Sequence, residues 1–191
     1  MRSNSVLTLF SLMVLAALPT TCLAQGKDYD DYMFALGKRE SSNDYKSVNP
    51  FGYIGRYQFG ETALIDCNIY IKDGSRKNDW KGGWAEEAWE KGIYSRDDFL
   101  DRPAFQDFSL FRFNELQWAS IVHRDLTKYI GKEIGGIKVT RSGMIGGAHL
   151  VGPSALAKFL KSNGQQVPVD GNGTKITEYI QLFSDFDLPF H

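Results

Sequence analysis

The stretch "GKRESSNDYKSVNPFGYIGRYQFGETAL", Gly37 to Leu64, sets one carboxyl, Glu40, directly before Ser41 and Ser42, then runs through a glycine-punctuated, aromatic-rich loop to Gln58. The chemistry open to a lone carboxyl is proton transfer. A carboxylic acid donates near neutral pH when apolar surroundings hold it in its neutral form. Gly52, Gly55 and Gln58 follow Glu40 by 12, 15 and 18 residues, and a second polar group, His149 in "AHLVGP", lies some ninety residues beyond Gln58.

Several elements must position these side chains. Gln25 to Asp31 reads as a polar leader into a first helix, in which Met33, Phe34 and Leu36 carry the apolar spacing and Glu40 falls at the end. Asn43 to Ile54 reads as an ordered loop. Tyr57, Phe59, Ala63, Leu64 and Ile65 predict a second helix reaching about Tyr70, followed by a hydrophilic loop from Lys72 to Gly83.

The clearest predicted element is a long central helix with Asp101 as cap and Pro103 inside the start. Phe105, Phe108, Phe111, Leu116, Ala119, Val122, Leu126 and Ile130 would form its buried face, with Gly131 as its stop. Ile134 to Val139 could pair as a hairpin, and Thr140 could cap a helix through Leu150. Pro153 starts another helix, Ser154 to Leu160, and Ile176, Tyr179, Ile180 and Phe183 mark the last.

Arg2 ahead of an apolar run from Val6 to Leu18, with Cys22-Leu23-Ala24 after it, predicts a secretory signal over residues 1–24, cleaved after Ala24. The run is shorter than the roughly 20 residues needed to span a bilayer, so no stable membrane insertion is expected. The rest, residues 25–191, is expected to form one periplasmic or secreted domain. Loss of the signal leaves 21 Lys+Arg against 23 Asp+Glu, a charge near −2 that gives no reason to expect nucleic acid as a partner. Cys67 is then the remaining cysteine, and packing alone must hold the fold.

The Glu40 stretch resembles bacterial lytic transglycosylases of the goose-type-lysozyme-like superfamily. Those enzymes carry a catalytic Glu followed by Ser, then Gly-x-x-Gly-Leu-Met-Gln at this spacing; here the stretch reads Gly52-Tyr53-Ile54-Gly55-Arg56-Tyr57-Gln58. Their Ala-Tyr-Asn-Ala-Gly-Pro segment is similar to Ala148-His149-Leu150-Val151-Gly152-Pro153. Arg56-Tyr57 stands for Leu-Met, His149 for Tyr and Leu150 for Asn.

The resemblance implies a mainly α, lysozyme-like (α+β) single domain with at most a small hairpin. It implies an enzyme that cleaves peptidoglycan glycan strands with Glu40 as catalytic acid and base, leaving a 1,6-anhydromuramyl end. Substrate-binding roles would fall to Ser41, Tyr53, Tyr57, Gln58 and His149. Tyr57, Phe59 and the phenylalanine-rich helix are expected to cover Glu40. A secretion-system or immunity protein is a further expected partner.

Hydrolysis stays open, because retaining glycosidases place a second carboxylate about 5 Å from the first and inverting ones hold it further off. Asp44, Glu61 and Asp66 are the candidates near Glu40 in sequence. A muramidase or chitinase-like hydrolase and a non-catalytic glycan or partner binder both remain as alternatives. A cysteine enzyme built on Cys67 with His123 or His149 is disfavoured, since "ALIDCNIY" reads as an apolar helix around an inert thiol. "DGNGT", Asp170 to Thr174, lacks the closing Glu of a calcium loop and reads as a turn. No metal or cofactor is expected.

Overall fold

The computed structural model describes residues 26–75 and 77–191, and the expected signal over residues 1–24 lies outside them. Among the described residues there are seven α-helices, α1 (Tyr29–Ser41), α2 (Glu61–Asp66), α3 (Glu86–Trp89), α4 (Arg96–Leu100), α5 (Pro103–His123), α6 (Arg141–Lys161) and α7 (Ile176–Leu182). Two antiparallel pairs, β1 (Tyr70–Ile71) with β2 (Gly83–Trp84) and β3 (Glu133–Ile134) with β4 (Ile137–Lys138), complete the regular structure. The protein is thus mainly α with a small β component.

Helix α1 begins where Asp28 accepts from the Asp31 backbone N–H while the Asp31 side chain accepts from that of Asp28, a reciprocal cap. Asp28 and Asp31 therefore start the helix instead of belonging to a polar leader. The helix ends at Ser42, in left-handed geometry with φ 59°, so Glu40 lies in its last turn.

The expected second helix shrinks to α2. Tyr57 and Phe59 stay in the loop, where Ile54 and Phe59 exchange backbone hydrogen bonds in place of helical ones. The β1–β2 pair and helices α3 and α4 were not anticipated; each is only two to five residues long, too short for a periodic signal. The limit of one small hairpin is corrected to two.

Helix α5 starts at Pro103, but its N-cap is Arg102, and Asp101 is ion-paired with Lys46. It ends at His123, and the expected continuation to Ile130 is a separate 3₁₀ turn, Thr127–Tyr129. The expected apolar face is also corrected. Phe108, Leu116, Val122 and Ile130 are exposed, while the buried side carries Phe105, Leu110, Phe113, Trp118 and Ile121 together with Gln106, Ser109, Asn114 and Gln117. Polar residues on the core side disguised the true face.

Thr140 caps α6, accepting from the Gly143 backbone N–H at 3.0 Å. Helical geometry breaks at Gly152, φ 78°, immediately before Pro153. Helix α6 packs mainly on α7 and then on α5. The approach to α7 is close because Gly146 has no side chain: a Cβ there would meet Phe183 at 2.6 Å. One continuous buried cluster runs from Tyr32 and Leu36 of α1 through Phe99, Leu110 and Ile145 to Ile180 and Phe183. No helix among the described residues is long and apolar enough to cross a membrane.

Candidate active site

The last turn of α1, the kinked middle of α6 and the face of α7 converge on Glu40. Tyr179 of α7 donates its hydroxyl to Glu40 Oε1 at 2.6 Å. His149 of α6 places Nε2 3.8 Å from the same oxygen, too long for a direct hydrogen bond. The side chains of Glu40 and His149 are only 17% and 10% exposed. Both nonetheless line a cleft of about 1220 Å³, together with Tyr179 and Gln58.

Burial holds the His149 imidazole below its ordinary value, opposed by the Glu40 charge and the Tyr57 backbone. Phe113 of α5 packs edge-on to the ring, with centroids 5.9 Å apart. The Tyr179 phenol is pushed well up, by burial first and by the Glu40 charge second, so it remains a protonated donor. Arg39 lies over the Tyr179 ring at 5.5 Å and 3.9 Å from Glu178, and it also lines the cleft.

The loop after α1 builds the rest of the cleft. Val48, Phe51 and Tyr53 line it with exposed apolar surface, Phe51 being 66% exposed, and Val169 of the loop before α7 lines it too. The Trp80 indole donates to the Gly52 carbonyl at 2.7 Å, tying the lip of this loop to the segment ahead of β2. Gln58 has φ 50° and donates through Nε2 to the Gly55 carbonyl at 3.0 Å.

The loop is suspended from α5. Gln106, fully buried, accepts from the Arg56 backbone N–H at 2.9 Å and donates to the Tyr45 carbonyl at 3.0 Å and the Phe99 carbonyl at 3.1 Å. A Cβ at Gly55, φ 76°, would lie 2.3 Å from Gln106 Oε1, so glycine is required there. Arg56 lies 5.1 and 5.2 Å over the Tyr45 and Tyr57 rings, and both tyrosines donate to Asp107.

The structure brings Glu40, Gln58, Tyr53 and His149 to one cleft and separates two other expected residues from it. Tyr57 is wholly buried with its hydroxyl on Asp107 at 2.6 Å, so it is a core and loop anchor in place of a sugar contact. Ser41 donates to the Arg56 carbonyl at 2.8 Å and accepts from the Asp44 N–H, which makes it a clasp on the loop outside the cleft lining. Tyr179 was read only as an apolar position of the last helix. Its hydroxyl meets Glu40 across 139 residues of sequence, and local spacing carries no trace of that pairing.

None of the expected second carboxylates, Asp44, Glu61 or Asp66, lines the cleft. Glu61 is buried, where desolvation raises its pKa, and accepts from the Trp80 N–H. Asp79 and Asp170 do line the cleft. Asp170 Oδ1 is held by the Asn172 and Thr174 N–H groups, the turn expected of this segment, and Asp79 lies 3.4 Å from Lys81. Glu61, Asp73 and Asp79 form the group, among the described residues, whose oxygens lie close enough to share a metal ion, within 4.8 Å of one another. The Cys67 thiol is buried and pushed up to about 12 by desolvation, which makes it a poor nucleophile.

No protein-family model, curated protein or solved structure matches the chain.

Proposed function

We propose that the protein is an exported peptidoglycan lytic transglycosylase of lysozyme-like fold, with Glu40 as its single catalytic acid and base. One observation carries the reading: Glu40, its side chain 17% exposed, lines a large cleft with a phenol donor on Oε1, while Oε2 makes no hydrogen bond to the described residues. The cleft's volume of about 1220 Å³ is that of a ligand site, and its exposed Phe51 and Tyr53 offer rings on which sugar faces can stack.

In this reading Glu40 gives its proton to the oxygen linking a muramyl residue to the next sugar. The bond from the anomeric carbon breaks, and its electron pair goes to that oxygen. The resulting carboxylate is stabilised by the Tyr179 O–H. It then takes the proton of the muramyl C6 hydroxyl as that oxygen attacks the anomeric carbon, closing the 1,6-anhydro ring and restoring the acid. No second carboxylate takes part.

Digestion of purified sacculi by the parent and by Glu40→Gln, with products read by mass spectrometry, tests this. Anhydro ends from the parent and none from the variant support it. Equal digestion by both refutes a catalytic Glu40 and makes the cleft a binding groove. Hydrolysis is the second reading, favoured by the presence of Asp79 and Asp170 along the same cleft. Reducing ends abolished by Asp170→Asn or Asp79→Asn would establish it.

A further inference from the structure

We propose that Glu61, Asp73 and Asp79 form a binding site for a calcium ion beside the cleft. Glu61 comes from α2, Asp73 from the loop after β1 and Asp79 from the approach to β2, so three separate stretches of chain bring like charges together. Their carboxylate oxygens lie within 4.8 Å of one another. That span is no wider than twice a Ca–O bond of about 2.4 Å, so one ion reaches all three. Every donor is an oxygen, which selects a hard cation over zinc or copper.

Two sealed oxygens at the cluster lack partners. Tyr70 of β1 is only 3% exposed, and its hydroxyl makes no hydrogen bond to the described residues. Its ring packs edge-on to Trp80 with centroids 5.2 Å apart, and a Cβ on Gly82 would lie 3.0 Å from the hydroxyl, so the tip points into the turn that carries Asp79. The charges acting on that hydroxyl are those of Glu61, Asp73 and Asp79. Asp79 Oδ1 is likewise sealed and has no donor. The groups around the cluster are engaged elsewhere on it: Glu61 accepts from the Trp80 N–H, Asp73 Oδ1 from the Ser75 N–H at 2.6 Å, and the mostly exposed Lys81 lies 3.4 Å from Asp79 Oδ2. Leaving a sealed hydroxyl and a sealed carboxylate oxygen unpaired is costly, and a cation with its own coordinated water supplies a partner to each.

The ion has a structural task whether or not the cleft is catalytic. Asn78 accepts from the Glu61 N–H at 2.9 Å and donates to the Phe51 carbonyl at 3.3 Å, and the Trp80 indole holds the Gly52 carbonyl. Calcium joining Asp73 and Asp79 to Glu61 therefore clamps the stretch of chain that carries the lip of the cleft.

The test titrates terbium, which shares calcium's preference for oxygen and luminesces when excited through the nearby Trp80, into the chelator-stripped full chain and displaces it with calcium chloride. The expected result is one terbium per chain, a calcium Kd of about 0.1–1 mM and a melting temperature raised by about 3–10 °C in 10 mM calcium. Magnesium chloride should give a smaller rise, because that ion gives up its water reluctantly and demands octahedral geometry. Asp73→Asn, at an exposed position where the fold can be checked by circular dichroism, should weaken calcium binding about tenfold or more, and Asp79→Asn should match it. Asp170→Asn, in the glycine-rich turn, should bind as the parent does. Absence of saturable terbium emission, or of a calcium-dependent rise in melting temperature, overturns the proposal. So does a response in Asp73→Asn and Asp79→Asn equal to the parent's, a loss confined to Asp170→Asn, or an equal rise with magnesium.

Discussion

Gln106→Leu probes the link between α5 and the loop that builds the cleft. Leucine nearly fills the volume of glutamine, so the cost comes from backbone groups that lose a partner. Of the close contacts, the Phe99 carbonyl also accepts from the Arg102 N–H at 3.2 Å and stays satisfied. The Arg56 N–H and the Tyr45 carbonyl have Gln106 as their hydrogen-bond partner among the described residues, so two groups are stranded. At about 1–3 kcal/mol for each unsatisfied group the loss is about 2–6 kcal/mol. A mid-range loss of about 4 kcal/mol corresponds to a Tm drop of about 8–16 °C in a domain of this size. Thermal and urea unfolding followed by circular dichroism measure it, with an unchanged urea m-value confirming that the effect is on stability alone. A loss below about 1 kcal/mol would mean that the loop does not hang from Gln106, and the account of how the cleft is held would fall.

Tyr179→Phe removes the O–H that meets the carboxylate formed when Glu40 gives up its proton, an interaction worth about 1.5–3 kcal/mol, so the rate of sacculus digestion should fall about tenfold to a hundredfold. Phe51→Ala removes an exposed ring from the cleft and should weaken glycan binding by about tenfold, read as a rise in KM with kcat nearly kept. Gly146→Val drives a side chain into Phe183 and should destabilise the α6–α7 packing by about 1–3 kcal/mol, measured by urea unfolding. His149 has a folded-state pKa below its unfolded value of about 6.5, so the unfolded chain binds the extra proton first on acidification. Its stabilising contribution is complete above about pH 6.5 and is lost as pH falls toward the depressed value, by up to about 1.4 kcal/mol per pH unit. His149→Phe should flatten this part of the stability curve.

The sequence disclosed those parts of the fold where one local signal had no rival. Pro103, Thr140, Gly152 with Pro153 and the short glycine-flanked hairpin all act within a few residues, and the structure has boundaries at each. The buried face of α5 was illegible because hydrophobicity is a poor guide where the core side must also hold polar loops: Gln106 and Asn114 face inward to serve Tyr45, Phe99 and Tyr29, while Phe108 and Val122 face out. The cleft was partly legible. Glu40, Gln58 and His149 stood out by type and spacing, and they meet there. Tyr57 was placed on the wrong side of its loop, since the aromatic type says nothing of whether a ring meets sugar or Asp107. Tyr179 was hidden by distance along the chain.

The glycine seat on α6 has a consequence for when the cleft is complete. The carboxyl comes from the first helix and its phenol partner from the last, 139 residues later, and the two meet only once α7 has settled onto Gly146. Closing a loop of that length costs chain entropy that must be met before the contact is made. A chain that is only half collapsed therefore holds the pieces of the cleft apart. Docking of α7 is what joins them.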